Sequence, residues 1–146
     1  MKRGFTLIEL LFTISLIAIV STFVFTAFVE YGNQQVFQSA VVEVASVIKE
    51  TRQKTLSSET TTQFGVYFAA DHLVVFEGSV YNPASITNQI KTLPGVTITP
   101  VLTGGVSEFV FTRLTGEPTA TGVVTITDNR SGSTEEITIL SSGLIE

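Results

Sequence analysis

Glu9 is a carboxylate set inside an apolar run, with Leu7-Ile8 before it and Leu10-Leu11 after it. An acid at the centre of a membrane helix costs about 2.5–3.5 kcal/mol on insertion scales, and less near an end. Its chemistry in such a place is recognition of a positive partner. Other residues invite other chemistry. His72 is the only histidine and follows Asp71. A catalytic dyad would need a nucleophile beside it, and no G-x-S-x-G or comparable signal is present; a hairpin turn is the preferred reading. Asp128, Asn129, Glu135 and Glu136 in "DNRSGSTEE" offer oxygen ligands for calcium. They lack the D-x-[DN]-x-[DN]-G pattern, so a solvated β-turn is preferred. Arg113 and Arg130 could meet nucleic-acid phosphates, but two arginines in an acidic domain are poor electrostatics for that. "TGGVSEF" has no following helix or lysine and is no phosphate loop. The chain has no cysteine, which excludes disulfides and thiolate metal sites. No enzyme chemistry, cofactor or metal is expected.

The elements that must position Glu9 come next. Leu10 to Val29 are twenty residues with no charge, proline or glycine. As a helix they cover about 30 Å, one hydrocarbon core. Lys2 and Arg3 precede this span, and no base follows it until Lys49. The positive-inside rule then puts the N-terminus in the cytoplasm and the body outside. An ordinary cleaved signal peptide fits poorly, because the run is too long and "TAFVEYG" is a poor cleavage site. A plain single-pass anchor leaves Glu9 unexplained.

Beyond Val29 the apolar residues become periodic. Phe37, Ala40, Val41, Val44, Val47 and Ile48 follow the spacing of an amphipathic helix. Lys49, Arg52 and Lys54 gather where cations suit a helix C-terminus. One helix is expected from about Thr6 to about Leu56, with Gly32-Asn33 a soft point. After Thr60, β-branched and aromatic residues alternate between Gly, Asn and Pro. Gln63–Ala69 and Leu73–Phe76 predict a hairpin. "SVYNPASITNQIKTLPG" predicts irregular chain with a short helical turn at Ser85–Ile90. "VTITPV" predicts a strand that Pro100 confines to an edge or an end. "SEFVFTRL" predicts a strand with Phe109 and Phe111 on one face and Val110 on the other. "GVVTITDNRSGSTEEITIL" predicts a second hairpin. The expected fold class is α+β: a long N-terminal helix whose C-terminal half packs against an antiparallel β domain. One sheet face should meet Val41, Val44 and Ile48, and the other should face water or a second small sheet.

"KRGFTLIELLFTISLIAIV" resembles the N-terminal class III signal of type IV prepilins and type II secretion pseudopilins. The shared pattern is a basic leader ending in glycine, then Phe, a Thr-Leu-Ile-Glu-Leu core and a long apolar helix, here from Lys2 to about Val29. The β region, with its closing "EEITILSSGLIE", is most similar to minor pseudopilins of the GspH/FimT type. The resemblance implies a leader at 1–4, a membrane and filament-core helix at 5–29, its amphipathic continuation at 30–58 and an extracytoplasmic β domain at 59–146. Gly4–Phe5 would be the bond cut by a prepilin peptidase, and Phe5 the N-methylated new terminus. Loss of Met1–Gly4 would leave six bases against thirteen acids.

The resemblance also supplies a partner for Glu9. Four residues after Phe5, its carboxylate can accept from that amine, its own or a neighbouring subunit's. Removing one partner of a buried pair costs about 3–5 kcal/mol, and fixing register is the best-attested use of such groups. The expected partners are the peptidase, other pilin subunits, an inner-membrane assembly platform and, before assembly, lipid. Two features set the chain apart from many major pilins: no proline within Phe5–Leu56, and no cysteine pair. A minor pilin or pseudopilin is the implied subunit, in the inner membrane and then in a filament. The alternative is a ligand-binding minor pilin for DNA uptake or adhesion, with Arg113 and Arg130 as its DNA contacts. Calcium sites in major pseudopilins keep a cation as an alternative for the Asp128 loop.

Overall fold

The computed structural model describes residues 6–57 and 62–146. Helix α1 runs Leu7–Ser57 and is followed by seven strands: β1 Phe64–Phe68, β2 His72–Glu77, β3 Gln89–Thr92, β4 Val96–Leu102, β5 Glu108–Val110, β6 Gly122–Asp128 and β7 Thr134–Ile139. The fold is α+β, with every strand pair antiparallel. By compactness the chain divides after Val36, and Phe37–Glu146 forms a unit with its own core.

In that unit α1 buries Phe37, Ala40, Val44, Val47, Ile48, Thr51 and Thr55. The spacing is that of one helical face. The two threonines extend the expected stripe by two turns. Their hydroxyls are satisfied locally: Thr51 Oγ1 donates to Val47 O at 2.7 Å and Thr55 Oγ1 to Thr51 O at 3.0 Å. Thr55 Oγ1 also accepts the Phe64 N–H at 3.2 Å, which ties the helix end to β1.

The strands form two sheets, in the order β3-β2-β1-β5 and β4-β6-β7. Val66, Phe68, Leu73, Val75, Phe109 and Phe111 from the first share one core with Val96, Ile98, Leu102, Val124, Ile126, Ile137 and Ile139 from the second, around the helix stripe. Phe109 and Phe111 meet edge to face at 5.0 Å, on the face expected of them. The outer face of the first sheet departs from expectation. The chain after β2 covers it, with Tyr81 stacked on Tyr67 at 4.2 Å and tilted against Phe76 at 5.6 Å. Gly65 makes room for the Phe76 ring, because a Cβ there would sit 2.4 Å from Phe76 Cζ and 2.7 Å from Phe109 O.

Two segments correct the sequence reading. Ser85–Ile90 holds no helical turn. Tight turns close from Asn82 O to Ser85 N and from Ser85 O to Asn88 N, and Gln89–Thr92 then pairs with β2 as an edge strand. Its side chains are exposed throughout, so no apolar alternation marks it. The expected "SEFVFTRL" strand is only Glu108–Val110, with Phe111 bridging to Pro118. Pro100 does lie on an edge strand, opposite Val124. Ile98 sends its outward N–H to Ala70 O at 2.8 Å, and the same alternation leaves position 100 without a ladder bond to lose.

Candidate functional site

The N-terminal end of α1 starts at a cap. Thr6 Oγ1 accepts the Glu9 N–H at 3.3 Å, and Thr6 O accepts the Leu10 N–H at 3.1 Å. Thr6-Leu7-Ile8-Glu9 thus has the S/T-x-x-E spacing of a capping box. The signal is readable in the sequence, from a threonine followed three residues later by a glutamate. An acid three residues past the cap also suits the positive end of the helix dipole. Glu9 is exposed on α1, and no ion pair to it occurs among the described residues. Gly4 and Phe5, its expected neighbours in function, lie outside the described residues.

Every residue from Thr6 to Gly32 is exposed. Leu7–Ser57 is long and apolar enough in its first part to cross a membrane. Four hydroxyls within that part return to the helix backbone: Thr13 to Leu10 O, Ser15 to Leu11 O, Thr22 to Ala18 O and Thr26 to Phe23 O, at 2.8–3.0 Å. Each donor is satisfied without water, which is the condition for a hydroxyl in hydrocarbon. Val20, Ser21, Val24, Phe25 and Phe28 line an open cleft of about 360 Å³ on the helix surface. The small Ser21 among large neighbours is a hole into which an apolar ridge can pack.

The remaining candidates are dispersed. His72 opens β2, and its Nδ1 lies 2.6 Å from Asp71 Oδ1, which holds the Asp71 carboxyl below the usual carboxylate range. Asp128 serves its own turn. It accepts from Ser131 Oγ at 2.7 Å and from the Arg130 N–H at 3.1 Å, and these bonds lower its pKa. Asn129 Oδ1 accepts from Thr97 at 2.7 Å, while Glu135 and Glu136 lie along β7 opposite Ile126 and Thr125. Among the described residues no three His, Asp or Glu side chains gather as metal ligands. Arg130 stands on the β6–β7 turn of the second sheet. Arg113 follows β5 of the first, beside a shallow cleft lined by Thr62, Gln63, Gly78 and Ser79.

Arg52 has a role that the sequence reading missed. Its Nε donates to Gly116 O and its Nη2 to Ser142 O, both at 3.2 Å. It ties the β5–β6 loop to the turn after β7. The two turns touch there: a Cβ on Gly143 would lie 2.0 Å from Gly116 O. Beyond that turn the chain doubles back, and Thr138 exchanges N–H to O bonds with Glu146 at 2.8 and 3.1 Å. Arg52 reads in the sequence as one of three cations near a helix end, and nothing local singles it out.

The comparisons with known proteins bear on the N-terminal segment. Residues 1–25 match the family model described as the prokaryotic N-terminal methylation motif. No curated protein and no solved structure matches the chain. The motif spans the N-terminal segment alone, and it fits a type IV pilin-like chain of the kind processed by a prepilin peptidase. The long exposed apolar helix fits a membrane anchor for such a chain.

Proposed function

We propose that this protein is a minor pilin or pseudopilin, a structural subunit of a type IV pilus-like or type II secretion filament. The observation that carries this reading is the conjunction of the methylation motif over residues 1–25 with a helix that stays apolar and exposed from Leu7 to Val29 and then enters a β-domain core at Phe37. In this reading the peptidase cuts between Gly4 and Phe5 on the cytoplasmic side, and Phe5 is methylated. Glu9 pairs with the Phe5 amine as subunits leave the inner membrane and enter the filament. The apolar helix is a membrane span before assembly and filament core afterwards, since the same exposed side chains suit lipid and other apolar helices alike.

Intact mass of the chain isolated from membranes tests the processing step. The expected mass lacks Met1–Gly4 and carries one added methyl; an uncut N-terminus overturns the reading. Glu9→Ala and Glu9→Val test the assembly contact. Both variants should insert in the membrane and fail to enter filaments, and normal incorporation would remove the role of Glu9.

A further inference from the structure

Among the described residues, β3 and β5 end one sheet and β4 and β7 end the other. A sheet edge is a row of backbone groups that can pair with another chain, and folded proteins cover or guard it. Three of these edges are covered or guarded. Along β5, Thr119 Oγ1 accepts the Val110 N–H at 3.0 Å and the Thr119 N–H donates to Val110 O at 2.9 Å. Strand β4 carries Pro100 and gives its Ile98 N–H to Ala70 O. Strand β3 is four residues long and carries Lys91, whose Nζ lies 3.7 Å from Glu43.

Strand β7 is covered along half its length. Thr138 exchanges backbone bonds with Glu146, and Ile139 bridges antiparallel to Ile145. Ladder bonds alternate along an antiparallel strand, so Thr134 and Glu136 face away from β6 as Thr138 does. Their N–H and C=O groups make no backbone hydrogen bond among the described residues. Both residues are exposed, and their outward groups repeat at about 6.8 Å, the step of an extended strand. Glu135 and Glu136 occupy successive positions here and so point to opposite faces. Their cross-strand neighbours are Ile126 and Thr125, and no ion pair to either occurs among the described residues. A second β7 laid on this edge would set glutamate against glutamate, which destabilises a strand pair. A strand with bases at two successive positions meets an opposite charge on each face.

We propose that the open half of β7 takes an added strand from a partner protein: an extended segment carrying two adjacent Lys or Arg residues. The segment lies in line with Leu144–Glu146, accepts from the Thr134 and Glu136 N–H groups and donates to their carbonyls. In strand addition the backbone ladder supplies affinity and the side chains supply selectivity. Here the selective side chains are Glu135 and Glu136, which turn away acidic strands, a second copy of β7 included. The proposal goes beyond the filament reading and stands on the β domain alone.

The full-length chain in detergent is titrated with a labelled, end-capped peptide of sequence TVKRVT, followed by fluorescence anisotropy and by amide exchange of the protein. Binding should saturate, weaken as salt rises, and slow exchange at the Thr134 and Glu136 amides. The same peptide methylated on every backbone nitrogen keeps both charges and loses the ladder, and it should not bind. Neither should TVEEVT. Thr134→Pro removes one outward N–H and leaves the ladder to β6 intact, so it should lower affinity about tenfold with the denaturation midpoint unchanged. Glu135→Lys combined with Glu136→Lys should reverse the preference, so that TVEEVT binds and TVKRVT does not. Equal binding of the methylated peptide would reduce the contact to charge and overturn the inference. So would no binding, or protection that falls elsewhere than Thr134 and Glu136. Self-association of the chain that Thr134→Pro abolishes would give the edge to a second copy and overturn it too. None of these outcomes touches the processing and assembly tests above.

Discussion

The Arg52 guanidinium donates from Nε to Gly116 O at 3.2 Å, across 64 positions of sequence. Its second bond, to Ser142 O, makes one helical side chain the tie between two surface turns. Arg52→Ala leaves both carbonyls to water and removes the stem that packs beside Gly143. Charged hydrogen bonds contribute about 1.5–3 kcal/mol when buried; these are partly exposed, so a loss of about 1–2 kcal/mol is expected. Arg52→Lys should not restore it, because the compact ammonium lacks the planar fork whose two separate nitrogens reach the two carbonyls. Urea denaturation followed by tyrosine fluorescence measures both.

Glycine to alanine should have opposite signs at two positions. At Gly65 the added methyl meets Phe76 and the Phe109 carbonyl within 2.7 Å, and overpacking of that kind costs about 1–3 kcal/mol. At Gly32 nothing lies within 4 Å and the residue is inside α1, so alanine should stabilise the helix by about 1 kcal/mol. Denaturation midpoints test Gly65→Ala, and helix content of the detergent-bound chain by circular dichroism tests Gly32→Ala.

Acid should loosen the β6–β7 turn. Ser131 and the Arg130 N–H hold the Asp128 carboxyl below its ordinary value of 3.8. A carboxyl with a depressed folded pKa contributes stability above its unfolded pKa and loses it as pH falls through the folded one. The contribution is therefore whole at neutral pH, begins to fall near pH 4 and is gone at lower pH. Asp71, lowered by His72, adds in the same direction. Relative to the intrinsic rate at each pH, amide exchange at Arg130 and Gly132 should rise in the wild type as pH falls from 5. In Asp128→Asn it should be fast throughout and lack that step.

Removing the cap should act locally. Thr6→Ala deletes the acceptor for the Glu9 N–H, and a lost cap costs about 0.5–2 kcal/mol. The expected outcome is fraying of the first turn, read as faster amide exchange at Glu9 and Leu10 in detergent, with the β-domain midpoint unchanged. Thr6→Ser should keep the cap. Equal protection in Thr6→Ala and wild type would show that the cap contributes nothing.

Features written in local pattern are legible from residue types and spacing alone. Length and the absence of charge from Leu10 to Val29 define a helix that can cross a bilayer. Helical spacing from Phe37 to Ile48 marks its buried face, and alternation marks the hairpins of β1–β2 and β6–β7. Glu9, with its basic and glycine neighbours upstream, was visible because one carboxylate stands out in an apolar run. Tertiary structure decided what depends on residues distant in sequence. Gln89–Thr92 has no apolar alternation and becomes a strand because β2 offers it an edge. Tyr81 covers a sheet face because Tyr67 and Phe76 lie there to receive it. Arg52 looks like a helix-end cation until the chain returns at Gly116 and Ser142 to bring carbonyls within reach. Leu114 has an ordinary sequence context, and its positive φ follows from closure of the Thr112–Glu117 loop. Periodicity reports which face of an element seeks apolar company. It carries no record of which distant backbone supplies the partner.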